Sequence, residues 1–179
     1  MTESKDDKSS SKQAQIRRVR LRTSKAGRMR PQVPHADKEC LASYVEINGL
    51  RAWTLWDTGS TTSGITPAFA QVADLTVDTL LDPHILQLGT TGSRWSIKYG
   101  VDVDVKLAPD ATASKEYLDV ANFDRYDMVI GTPLMRKLKA CLDFGDNTIR
   151  VGKHRIDAVR VVPDADGRIR RQRISSKAD

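Results

Sequence analysis

The stretch WSIKYGVDVDVKL, residues 95–107, puts an apolar side chain at every odd position and Ser, Lys, Gly, Asp, Asp and Lys at the even ones. A period of two over this length describes a long strand with one buried face, whereas a helix would repeat every 3.6 residues. Such a strand needs a partner, and HILQL (84–88) lies just before it, joined by GTTGSR (89–94). The two predict a long hairpin whose glycine-bearing tip is exposed and mobile.

The surrounding sequence extends the β reading. LASYVEI and LRAWTLW flank Asn48-Gly49, the dipeptide that supplies the two positive φ angles of a type I′ hairpin. The second of these strands runs into Asp57. Thr66 and Pro67 read as N-cap and N1 of a short helix through AFAQVA. KEYLDVAN and YDMVIG read as strands, and TPLMRKLKA as a short helix capped by Thr132 with Pro133 at N1. CLDF-GDN-TIRV reads as another hairpin and IDAVRVV as a last strand. Many short strands with two short helices predict an all-β barrel or sandwich and exclude a parallel α/β sheet.

Charge divides the chain. Residues 1–34 hold ten Lys or Arg against three acids and 163–179 hold five against three, while 35–162 carries a net −3 within a total of +6. The first segment has no aromatic and few apolar residues, too little to offset the entropy of ordering it, and is expected to be a disordered basic tail. Its Arg/Lys cluster suits nucleic-acid binding or nuclear import as well as it suits a solvated linker. The expected organisation is a tail at 1–34, one folded domain at 35–162, and a polar tail at 163–179.

No apolar stretch resembles a signal peptide or approaches the ~20 residues of a membrane span. A soluble intracellular protein is expected, in the cytoplasm or a retroelement particle, with the nucleus open to it through the basic tail. Cys40 and Cys141, with His35, His84 and His154, form none of the close ligand pairs of zinc sites, and two reduced structural thiols are the expectation.

Several motifs fail on inspection. GSTTSGIT (59–66) has P-loop spacing but Ile65 where Lys is required. DFG (143–145) lacks every other kinase signature and reads as a strand entering a turn. DADG (164–167) would need ligands where Val162 and Arg173 stand. What remains is WDTGS, an apolar strand ending in Asp57-Thr58-Gly59-Ser60. Alone it would be a turn. Downstream, however, YDMVIGTPLMRKL supplies Val129, Ile130, Gly131 and a short helix, with the glycine-tipped hairpin between the two motifs.

This order resembles the retropepsins, the single-domain aspartic proteases of retroviruses and LTR retrotransposons, over about residues 41–151. The wording of DTGSTTSGITPAFA, LQLGTTGSRW, FDRYDMVIGTPLMRKL and CLDFGDNTIRV is most similar to Ty3/gypsy-type elements, especially fungal ones. The resemblance implies an all-β fold: a closed β-barrel of the acid-protease type with one or two short helices and a flap hairpin. It implies that Asp57 is catalytic, that Thr58 bonds across a dimer, that Gly59 permits close approach, and that Ser60 sits beside the carboxylate. The tip Gly89, Thr90, Thr91, Gly92, Ser93 and Arg94 would be the flap, and Ile130-Gly131 would pack beneath the Asp57 loop.

Two positions depart from the pattern. Trp56 stands where a medium aliphatic is usual, which bears on the packing around the loop. Thr132-Pro133 stands where viral members often have an arginine, so dimer contacts do not carry over.

The implied chemistry is hydrolysis by a water activated between two aspartates, with no metal or other cofactor. Only one Asp-Thr-Gly occurs in the chain, so a homodimer is expected, acting on an extended peptide or Gag-Pol-like polyprotein, with no membrane involved. Two other readings stand beside it: a domesticated, non-catalytic dimerisation and peptide-binding module, and a nucleic-acid-binding protein acting through residues 12–30.

Overall fold

Asn48 and Gly49 set the first strand pair. Both adopt positive φ, 49° and 78°, which matches the turn to the twist of its flanking strands. Strands β1 (Ala42–Ile47) and β2 (Leu50–Trp56) therefore pair antiparallel from Ile47 with Leu50 out to Ala42 with Leu55. In the computed structural model of the protein, residues 27–87 and 92–159 are described. The chain divides into two units, Met1–Val33 and Pro34–Asp179. Of the first, residues 27–33 are exposed and without regular structure. Most of the expected N-terminal tail, the flap residues 89–91 and everything after 159 lie outside the described residues.

The second unit opens with a 3-10 turn at His35–Lys38 and then β1 and β2. There follow β3 (Gly64–Ile65), α1 (Pro67–Val72), β4 (Asp78–Gln87), β5 (Arg94–Lys106), β6 (Ser114–Val120), β7 (Met128–Ile130), α2 (Thr132–Leu138), β8 (Cys141–Asp143), β9 (Thr148–Val151) and β10 (His154–Asp157). Seven strands form one sheet in the order β1-β2-β7-β3-β6-β5-β4, and β8 to β10 form a separate three-stranded sheet. The fold is mostly β, as expected. β1 also meets β5 through Glu46–Lys106 and Ile47–Val105, so the larger sheet rolls back on itself through a seam of two residue pairs. With β4 outside that loop of strands, this is a looser arrangement than the closed barrel expected.

The core is the apolar side of this rolled sheet: Val45, Ile47, Ile65, Val101, Val103, Val105, Leu118, Met128 and Ile130, with Leu134 and Met135 of α2 and Ile149 of β9. Trp56 belongs to it at 3% exposure, and its indole N–H donates to Ser43 Oγ at 2.9 Å. The bulk of this residue is thus absorbed inward, its one polar atom satisfied, as a buried indole requires.

The alternation of residues 95–107 is buried along only part of its length. Ile97, Val101, Val103, Val105 and Leu107 are buried, but Trp95 and Tyr99 are 51% and 48% exposed. β6 pairs with β5 only from Gly100 to Val105. From Arg94 to Tyr99 the partner is β4, so this half is a two-stranded ribbon in which Ile97 is covered while Trp95 and Tyr99 on either side of it stay half-exposed. The last strand stops at Asp157, short of the expected run; Val159 N–H then donates to Ala42 O at 2.9 Å. Cys40 and Cys141 are free, as expected, but both are exposed; neither has the packing role foreseen for it.

Candidate active site

Two strand ends build the site. β2 and β7 run parallel, with Trp56 opposite Ile130, so the chain leaves both strands at the same level. Asp57 and Gly131 become neighbours although 74 residues separate them in sequence. Asp57 N–H donates to Ile130 O at 3.0 Å. Antiparallel pairing of β3 with β7 brings Gly64 opposite Val129, which folds the segment 60–63 over the start of α2.

Asp57 is half-buried, while Thr58 and Gly59 are exposed. The carboxylate Oδ1 accepts the Gly59 N–H at 2.8 Å, and Ser60 N–H donates to Asp57 O at 3.2 Å. This Asx-type turn fixes one carboxylate oxygen by a local bond, the habit that makes Asp a turn residue. A Cβ on Gly59 would lie 3.2 Å from that oxygen, so any larger residue would require the Asp57 side chain to shift by a few tenths of an ångström.

Beneath the loop, Gly131 is enclosed: an added Cβ would come within 2.1 Å of Thr62 O and 2.9 Å of Ser60 O. Only glycine lets the two backbones meet there. Its N–H donates to Ser63 Oγ at 2.9 Å. Thr132 does not cap α2 as expected. It is the first residue of that helix, after Gly131, which makes no side-chain cap. The Thr132 hydroxyl instead reaches back to the carbonyl oxygens of Thr58 at 3.1 Å and Ser60 at 3.0 Å, and its N–H donates to Ser60 O at 2.9 Å. The helix start thereby grips the Asp57 loop. By contrast the cap foreseen at Thr66 is present, its oxygen accepting Phe69 N–H at 3.2 Å.

Of the residues singled out in the sequence, the structure brings Asp57, Thr58, Gly59, Ser60, Ile130 and Gly131 together. Of the described flap residues, Ser93 and Arg94 are braced across their own hairpin, Arg94 Nε donating to Gln87 Oε1 at 3.0 Å and Gln87 Nε2 to Ser93 O at 3.2 Å, and Gly92 adopts a positive φ of 86°. Sequence reasoning missed Thr132 and Ser63 as loop ties and, further out, Thr62, Tyr117 and Asp119. The one signal available was the density of hydroxyls in STTS (60–63), which says that bonds will be made but not to what.

A mostly-β chain in which an Asp-Thr-Gly loop rests on an Ile-Gly strand end has a retropepsin-like fold, that of the aspartic-protease type. One comparison with a solved structure supports the assignment of fold. The retroviral protease-like domain of Ddi1 from Leishmania major is 17% identical and superposes over 68% of this chain and 94% of its own, with a TM-score of 0.53. The EIAV protease complexed with the inhibitor HBY-793 is 20% identical over 63% of this chain and 100% of its own, with a TM-score of 0.44. No family model matches the chain, and neither does any curated protein.

Proposed function

We propose that the protein is an aspartic endopeptidase in which Asp57 supplies one half of a catalytic dyad. The observation that carries this is the Asp57 loop itself: a carboxylate at a strand end, one oxygen held by Gly59, with Thr58 and Gly59 turned to solvent where a second chain could meet them.

Acid–base peptide hydrolysis of this kind needs two carboxylates. As in aspartic proteases at large, like charges about 3 Å apart do not both ionise, so the pair holds one proton. The ionised member takes a proton from water as it attacks the peptide carbonyl, and the protonated member donates to the developing oxyanion. The roles belong to the pair. One chain offers one such aspartate, so the reading requires a C2 homodimer that places equivalent loops face to face. The hairpin β4–β5 would close over an extended peptide held by strand-like hydrogen bonds. The wording around Asp57 and Ile130 supports a retroelement enzyme of Ty3/gypsy type that processes a Gag-Pol-like polyprotein. Trp56, the departure from the family pattern next to Asp57, is buried and hydrogen-bonded, so its bulk is accommodated without displacing the loop that this reading needs.

The test is incubation of the full chain with a diverse peptide library at several pH values, with and without a transition-state-mimicking inhibitor and with a chelator. Cleavage should be blocked by the inhibitor and indifferent to the chelator. Asp57→Asn should lower it by about 10²–10⁴-fold while leaving the circular dichroism spectrum unchanged. Full activity in that variant would refute the assignment.

A further inference from the structure

A buried carboxylate that the proposed chemistry does not use lies behind the Asp57 loop. Asp119, in β6, is 6% exposed. Its Oδ2 accepts the hydroxyl of Thr62, its Oδ1 accepts the hydroxyl of Tyr117 at 2.9 Å, and its backbone N–H donates to Ser63 O at 2.9 Å. Tyr117 is itself seated. Its ring covers Gly100, where an added Cβ would stand 2.2 Å from the phenol oxygen. Burial, and next its bond to Asp119, push the phenol up to about 12, so it remains a donor across the neutral range.

Thr62 and Ser63 carry this anchorage to the loop. Ser60 Oγ donates to Thr62 O at 2.7 Å, and that same carbonyl is the one pressed against Gly131. Ser63 Oγ holds the Gly131 N–H, and Ser60 O holds both the N–H and the hydroxyl of Thr132. Every contact between residues 60–63 and the start of α2 therefore lies within two residues of a group bonded to Asp119. A buried carboxylate is costly unless fully hydrogen-bonded, and a pair of threonine and tyrosine hydroxyls binds it directionally.

We propose that Asp119 is a positioning residue for the Asp57 loop. With Thr62 and Tyr117 it forms a strut that sets the height of residues 60–63 above Gly131 and Thr132, and through them the placement of the Asp57 carboxylate. The inference rests on the reading of Asp57 as catalytic.

The experiment uses the full chain, with hydrogen exchange read residue by residue and kcat and KM measured on one quenched-fluorescent peptide taken from the library cleavage above. Thr62→Val keeps the side chain's size and removes the hydroxyl. Amides of residues 59–63 and 131–132 should then exchange at least about tenfold faster while those of the β1–β2 hairpin keep their rates. In step, kcat should fall by up to about a hundredfold, with KM within about twofold, because misplacement of a reacting group by an ångström costs that much. Thr62→Ser should restore both readings. If Thr62→Val does not fold, Asp119→Asn, of equal size and with one acceptor fewer, takes its place. Loop exchange that stays at the wild-type rate, or that rises equally over the whole fold, overturns the strut. A wild-type chain that cleaves no peptide removes the Asp57 reading, and the exchange measurement still decides whether the strut exists.

Discussion

Thr132 shows how much one hydroxyl can do at a strand end. Its two bonds, to Thr58 O and Ser60 O, tie the start of α2 to the loop that carries Asp57. Thr132→Val should cost about 0.5–1.5 kcal/mol in urea unfolding, since the loop loses one hydroxyl donor shared between the two carbonyls while Ser60 O keeps the Thr132 N–H, and Thr132→Ser should recover most of it. Tyr117 gives a prediction in pH. Its folded-state value is raised from 10.0 to about 12 by burial and by Asp119, so its contribution to stability is complete below pH 10 and is lost as pH rises through 12. The ring is half-exposed, which limits the size of the effect. Thermal melts of Tyr117→Phe should be less sensitive to pH than wild type between about 10 and 12. Equal slopes in that window would count against the Tyr117–Asp119 bond.

Among the elements, α2 is held from both ends: by Thr132 at its start, and by Lys137, whose Nζ lies 2.7 Å from Glu116 Oε2. Glu116 is 6% exposed and its Oε1 is buried with no hydrogen-bond partner among the described residues. The lysine is therefore the main compensation for a charge that faces the core side of β6 opposite Val103. Lys137→Met should destabilise the fold by about 1–3 kcal/mol, whereas the double variant with Glu116→Met should recover much of the loss, because removing both partners is cheaper than orphaning one. Chemical denaturation of the three variants gives the cycle. Full additivity would mean that the contact contributes nothing.

For the whole molecule, if one chain holds half of the site as proposed, specific activity should fall on dilution below the dimer dissociation constant. Mixing Asp57→Asn chains in equal amount should leave roughly a quarter of dimers with two wild-type aspartates, if pairing is random. Joining two copies by a flexible linker should restore dilute activity, since tethering raises the effective concentration to about the millimolar range. Undiminished activity of a sedimenting monomer would overturn the half-site arrangement.

The sequence by itself determined whatever depends on near neighbours along the chain. The Asn48-Gly49 turn, the Thr66 cap, the β4–β5 hairpin and the strand delivering Asp57 are all local, because φ preferences, capping hydroxyls and two-residue periodicity act over a few residues. The motifs around Asp57 and Ile130 were legible too, as was their likeness to the retropepsins. Tertiary structure decided what lies across. Periodicity marks Trp95 and Tyr99 as belonging to an apolar face but does not say that β6 ends its pairing at Gly100 and that these two stay half-exposed. The sequence shows Thr132 before a helix, where a cap is the local option. Only the parallel register of β2 with β7 brings the Thr58 and Ser60 carbonyls near enough to claim its hydroxyl. Asp119 is the extreme case: nothing along the chain pairs it with Thr62, 57 residues away, and the bond exists because β3 lies beside β6 with Gly64 opposite Asp119. Strand register is a non-local choice, set by the burial of many side chains at once, and the supports of this site were fixed by that choice.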